Sequence, residues 1–148
     1  MFNKLVALGV CVLAVTGLAG CPGTACFGID TCQLQGTWEA SFDVGETTTV
    51  TNRMVVTNDA FTYATLTSGF EGTYRINTLT DPKQIDFMIT KSWVGLGPLQ
   101  VVDDNPRTML GIYTVSKDAL TVQFGDETNR PAVFDSNDMI TLAHISAN

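Results

Sequence analysis

The sequence predicts an all-β fold, a closed antiparallel barrel of eight or nine short strands. Three observations predict it. From Leu34 onward, apolar residues recur at every second position. The stretches that carry them are rich in Thr, Val, Ile, Phe and Tyr, and Gly, Asn, Asp and Pro punctuate them. No segment has the helical period needed to cover an open sheet, so each strand's apolar face must be covered by the sheet curling on itself.

The strands follow in order. Thr37–Asp43 sets Trp38, Ala40 and Phe42 on one face, and Thr48–Thr57 aligns Val50, Met54 and Val56. Asn58-Asp59 makes a tight turn into Ala60–Leu66, where Phe61 and Tyr63 share a side. Glu71–Asn77 carries Tyr74 and Ile76, and Gln84–Lys91 carries Ile85, Phe87 and Ile89. After a long loop, Thr108–Ser116 places Met109, Gly111, Tyr113 and Val115 together. Lys117-Asp118 turns into Ala119–Phe124, with Leu120, Val122 and Phe124 inward. Pro131–Phe134 reads as a short strand, and Met139–Ser146 closes the domain through Ile140 and Leu142. These strands are too short for an outer-membrane barrel. Their outward positions are Thr, Glu, Lys, Arg and Gln rather than lipid-facing residues.

Residues 1–20 read as an export signal. Lys4 precedes an apolar run from Leu5 to Val15 that is too short to span a bilayer and is followed by small residues. The run ends in Leu18-Ala19-Gly20-Cys21, which resembles the bacterial lipobox. That resemblance implies acylation of the Cys21 thiol, removal of the preceding peptide and attachment to a cell-envelope membrane. Pro22 stands where an aspartate favours inner-membrane retention, so the outer membrane facing the periplasm is expected. Residues 21–33 are small and turn-rich and read as a tether, leaving 34–148 as the folded domain.

The whole chain has a formal charge of −7, and loss of Lys4 with the leader makes it −8. This argues against nucleic acid and against electrostatic docking on anionic lipid. Cys26 and Cys32 would lie in an oxidising compartment, where a disulfide closing a small loop is expected, contributing roughly 2–3 kcal/mol. Two thiols without a nearby histidine do not complete a zinc site, and their spacing is not Cys-x-x-Cys.

Leu34-Gln35-Gly36-Thr37-Trp38, Glu71-Gly72-Thr73-Tyr74 and Pro82-Lys83-Gln84-Ile85-Asp86 form an ordered set. It continues through Gly111-Ile112-Tyr113, Asp118-Ala119-Leu120 and Arg130-Pro131-Ala132-Val133-Phe134. In order and spacing the set resembles the lipocalin-like domain family common in planctomycete bacteria, over about residues 34–145. The resemblance implies a calycin-type barrel and assigns no activity. Gly36-x-Trp38 is also similar to the lipocalin opening motif, in which the tryptophan plugs the barrel floor. In lipocalins a late arginine packs on that ring, and Arg130 is the matching residue.

Catalytic chemistry is hard to place. His144 is the single histidine and has no nucleophile in a recognisable triad with it. It reads as a strand-end or core residue. Asp103-Asp104-Asn105, Asp126-Glu127 and Asp135-Ser136-Asn137-Asp138 fit turn chemistry better than a calcium loop. Glu39, Glu71 and Asp86 fall out of step with the apolar faces and read as solvated or paired with Arg75 and Lys91. No enzyme activity, metal or cofactor is expected.

Two readings of the aromatic residues stay open. Trp38, Phe42, Phe61, Tyr63, Tyr74, Phe87, Tyr113 and Phe124 all fall on inner faces. An eight-strand barrel is either filled by side chains or holds one small ligand. In the ligand reading, Trp38, Phe61, Tyr63, Tyr74, Phe87 and Tyr113 line a site for a small apolar or amphipathic molecule. The loop from Ser92 to Leu99 would then bring Trp93 to its mouth as a lid. In the other reading the barrel is full, Trp93 caps its end, and the domain is a structural or protein-interaction module.

Overall fold

The computed structural model describes residues 30–43, 48–95 and 101–145. Among them a short helix, α1 (Asp30–Gln33), precedes nine strands. These are β1 (Gly36–Asp43), β2 (Thr49–Thr57), β3 (Ala60–Ala64), β4 (Ser68–Asn77) and β5 (Lys83–Val94). There follow β6 (Val101–Asp103), β7 (Arg107–Val115), β8 (Ala119–Phe124) and β9 (Met139–Ile145). The fold is the expected closed antiparallel barrel. Eight strands run around it in the order β1-β2-β3-β4-β5-β7-β8-β9, and β9 pairs back onto β1. The ninth, β6, adds to the upper end of β5.

Alternation does what period two requires. Trp38, Met54, Phe61, Tyr74, Phe87, Tyr113, Leu120 and Leu142 point inward and form one buried core. Gly36, Lys83 and Ile145 mark the floor of the barrel; Asp43, Val94 and Met139 mark its upper rim.

Four details depart from the sequence reading. Part of the tether is folded, since α1 lies against the floor and Leu34 behind it is 1% exposed. Strand β4 begins earlier, at Ser68, which brings Phe70 into the core region. Residues 131–134 are not a strand. They belong to a long loop held by Arg130, which donates to the carbonyls of Ile85 (3.2 Å) and Gly111 (2.6 Å) and pairs with Asp86. Finally, β5 runs through Ser92 and Trp93 to Val94, where the sequence suggested a loop.

That extension needs Gly69. The β4–β5 register is irregular between Glu71 and Gly72, and above it Gly69 stands opposite Trp93. The indole lies so close that a Cβ on Gly69 would sit 2.2 Å from it and 2.7 Å from the Tyr63 carbonyl. Only a residue without a side chain fits there. Gly69→Ala should therefore destabilise the domain by about 1–3 kcal/mol. Removing the indole as well should restore part of the loss, with the carbonyl contact accounting for the rest; urea unfolding of the single and double variants measures both.

Candidate functional site

The barrel interior is built from inner-face side chains of every barrel strand. Its upper half is a cluster of rings. Phe61 and Phe87 meet edge-on at 4.7 Å between centroids, and Phe124 lies 5.3 Å from Phe87 and 5.5 Å from Tyr63. Phe70 joins Tyr63 at 5.1 Å. Offset and edge-on pairs at these spacings are the favoured aromatic geometries. Below the rings lies a cavity of about 10 Å³, walled by Leu34, Met54, Tyr74, Ile85, Leu120 and Val122 among others. That is room for about one water, in a wholly apolar surround.

The lower half is closed by α1 and a set of polar clasps. Trp38 is fully buried, and its indole N–H donates to the Leu34 carbonyl at 2.9 Å. His144 on β9 sits across the strand pair, its ring 4.7 Å from that of Trp38 and packed over Gly36. The residue that meets the floor tryptophan, edge-on, is thus this strand-end histidine; Arg130, the match suggested by the lipocalin resemblance, is spent on Asp86 and two wall carbonyls. Asp30 is the other closure. The Lys83 ammonium reaches its two oxygens at 3.0 and 2.9 Å, and the buried Tyr113 hydroxyl donates at 2.7 Å. Gln35 donates to Asn58 O and to the Tyr74 hydroxyl, which itself donates to Asn58 O at 2.9 Å.

These contacts set the ionisation of the floor. Burial works against the Asp30 carboxylate, but the Lys83 and Tyr113 hydrogen bonds outweigh it and hold its pKa below the ordinary value. Burial, reinforced by the Asp30 charge, pushes the Tyr113 phenol well up. Burial also raises Tyr63 and Tyr74, the latter opposed by the hydrogen bond from Gln35.

The residues singled out from sequence are therefore brought together, with one exception. Trp38, Phe61, Tyr63, Tyr74, Phe87 and Tyr113 are all buried in the interior. The hydroxyls of Tyr74 and Tyr113, which a ligand could have satisfied, are satisfied by the protein's own groups. Trp93 is the exception. It lies in a strand, on the face of Gly69 and Val102 and opposite to Phe70. It thus packs on the outer wall, and neither the lid nor the cap reading describes it. Glu39 pairs with Arg53 at 3.3 Å, and Asp86 pairs with Arg130; Glu71 stands opposite Lys91 in the ladder. Cys21 and Cys26 lie outside the described residues, while Cys32 is half-buried in α1. Among the described residues, no three His, Cys, Asp or Glu side chains gather as a metal site would require.

Asp30 and Lys83 were missed from sequence. Lys83 and Tyr113 lie 53 and 83 positions from Asp30 along the chain, and a lone aspartate in a turn-rich stretch gives no local signal. In comparisons with known proteins, no family model, no curated protein and no solved structure matches this chain.

Asp30→Asn should cost about 1–3 kcal/mol at neutral pH, since it removes a charge-assisted pair from a buried position. The folded pKa of Asp30 lies below its unfolded value. Its contribution is therefore complete above the ordinary carboxylate range and is lost as pH falls through the folded pKa. Chemical denaturation from pH 7 to pH 2 should show the gap between wild type and variant closing below about pH 4. A gap independent of pH would mean that the charge contributes nothing.

Proposed function

We propose that this protein is a lipid-anchored module of the bacterial cell envelope whose barrel is a filled scaffold and whose work is done by surface contact with another macromolecule. The observation that carries this reading is the interior. Pockets that hold small molecules measure about 300–1,000 Å³. The cavity beneath the rings is about 10 Å³. Side chains occupy the space that an apolar ligand would need, and among the described residues no fully buried side-chain nitrogen or oxygen lacks a hydrogen-bond partner. The proposal assigns no catalytic step.

The anchor belongs to the same proposal and rests on Leu18-Ala19-Gly20-Cys21. Asp30 follows Cys21 by nine positions, at most about 30 Å of extended chain. Acylation at Cys21 would therefore tie the floor end of the barrel to the membrane, with the upper rim on the far side. The outer membrane, facing the periplasm, is the proposed location.

Native mass spectrometry of the exported, gently purified protein tests the filled barrel. A clean mass without a bound molecule, and no uptake of an apolar probe, is expected. An apolar molecule that travels with the fold and leaves on denaturation would overturn the reading in favour of a carrier. The anchor is checked separately by metabolic labelling with a radioactive fatty acid, where Cys21→Ala should abolish incorporation.

A further inference from the structure

The floor of the barrel is filled by a piece of chain that belongs to none of its walls. Residues 30–35 share no backbone-to-backbone hydrogen bond with any strand among the described residues. Side chains make their polar ties to the barrel. Lys83 and Tyr113 hold the Asp30 carboxylate, Gln35 reaches Asn58 and Tyr74, and the Trp38 indole holds the Leu34 carbonyl. The wall itself closes without them, since the seam of β1 with β9 begins at Thr37. A four-residue helix has no stability of its own, so α1 exists only while it is docked.

Two further features fit a part that can move. Gly36 joins the segment to β1 at a φ of 123°, which L side chains rarely adopt, and a Cβ there would meet the His144 ring at 2.6 Å. Glycine at this joint gives the backbone room to swing. The other feature is Leu34, which is 1% exposed and projects into the interior. It walls the cavity of about 10 Å³ together with Met54, Val56, Ile85, Leu120 and Val122. The Tyr74 ring completes that wall, and its hydroxyl is already engaged with Asn58. Whatever stands in the place of Leu34 must therefore be apolar and of about its size.

We propose that residues 30–35 are a removable plug, hinged at Gly36 and latched by Asp30, and that behind it lies a latent site for a small apolar group. Leu34 is the resident occupant, and its side chain defines the class of ligand: a short branched alkyl group or a single benzene ring. The proposal rests on the filled-barrel reading and deepens it. The barrel is full, but at its floor the filling is a stretch of chain that a local opening can withdraw.

Native-state hydrogen exchange of the full chain tests the hinge. The Leu34 amide donates to Asp30 O, and the buried Trp38 indole N–H donates to Leu34 O. Both should exchange at least about tenfold faster than the amides of β8, and at rates that low urea leaves unchanged. Asp30→Asn should speed both by about another tenfold. Benzene is the probe for the site, because a small aliphatic cavity stays dry and accepts it. In the wild type, benzene should speed both exchange rates severalfold and leave β8 as it was, since it selects the open state. In Leu34→Ala it should raise the unfolding midpoint. Exchange of the Trp38 indole in step with β8, at the same urea dependence, would overturn the plug. So would a Leu34→Ala chain that unfolds, because the barrel would then need Leu34 to stand. Indifference of both chains to benzene would overturn the site. Native mass spectrometry judges the filled barrel by a stoichiometric ligand in the wild type, whereas exchange reads a rare opening, so each reading can fail alone.

Discussion

Trp38 is where this barrel closes. The seam between β1 and β9 is only three residue pairs long, and Trp38 with His144 is the middle one. Every other pairing joins strands that are close along the chain. This one brings together residues more than a hundred positions apart, so it carries the largest loop-closure cost in the structure. The compensation is local and dense. The indole is wholly buried, its N–H is satisfied by Leu34, and its edge is covered by the histidine that the pairing delivers. Without that seam β1 and β9 would each be an open edge, and the rings inside would face water.

Closure explains why the interior is full. Eight strands enclose a space that large side chains can occupy completely, and this chain commits Phe61, Tyr63, Phe70, Phe87 and Phe124 to one half of it. The cavity left beneath these rings is about 10 Å³. The polar chemistry lies at the floor, clasped by Asp30, while Val94 and Val101 stand exposed at the upper rim.

Most of the architecture was legible in the sequence because burial imposes a period of two. Trp38, Phe61, Tyr63, Phe87 and Leu120 declared their faces through their spacing alone, and the barrel followed from the lack of any helix to cover a sheet. Trp93 was misread for a physical reason. The glycines and proline after it look like loop, and a tryptophan beside a loop suggests a lid. What holds it in a strand is Gly69, 24 positions earlier, whose missing side chain makes room for the indole on the outer wall. Asp30 was invisible for a similar reason: nothing near it in sequence predicts that Lys83 and Tyr113 will converge on its carboxylate. Alternation reports which way a side chain points along its own strand and carries no information about what meets it across the fold.

The floor clasp has a mechanical meaning. If Cys21 is acylated as proposed, a pull between membrane and barrel would arrive at α1 before it reached a strand. There it meets an ion pair to β5 and a buried hydroxyl on β7, together with the Trp38 hydrogen bond behind them. The load is divided between non-adjacent parts of the chain and enters the barrel across its floor, so that no single hairpin has to bear it alone.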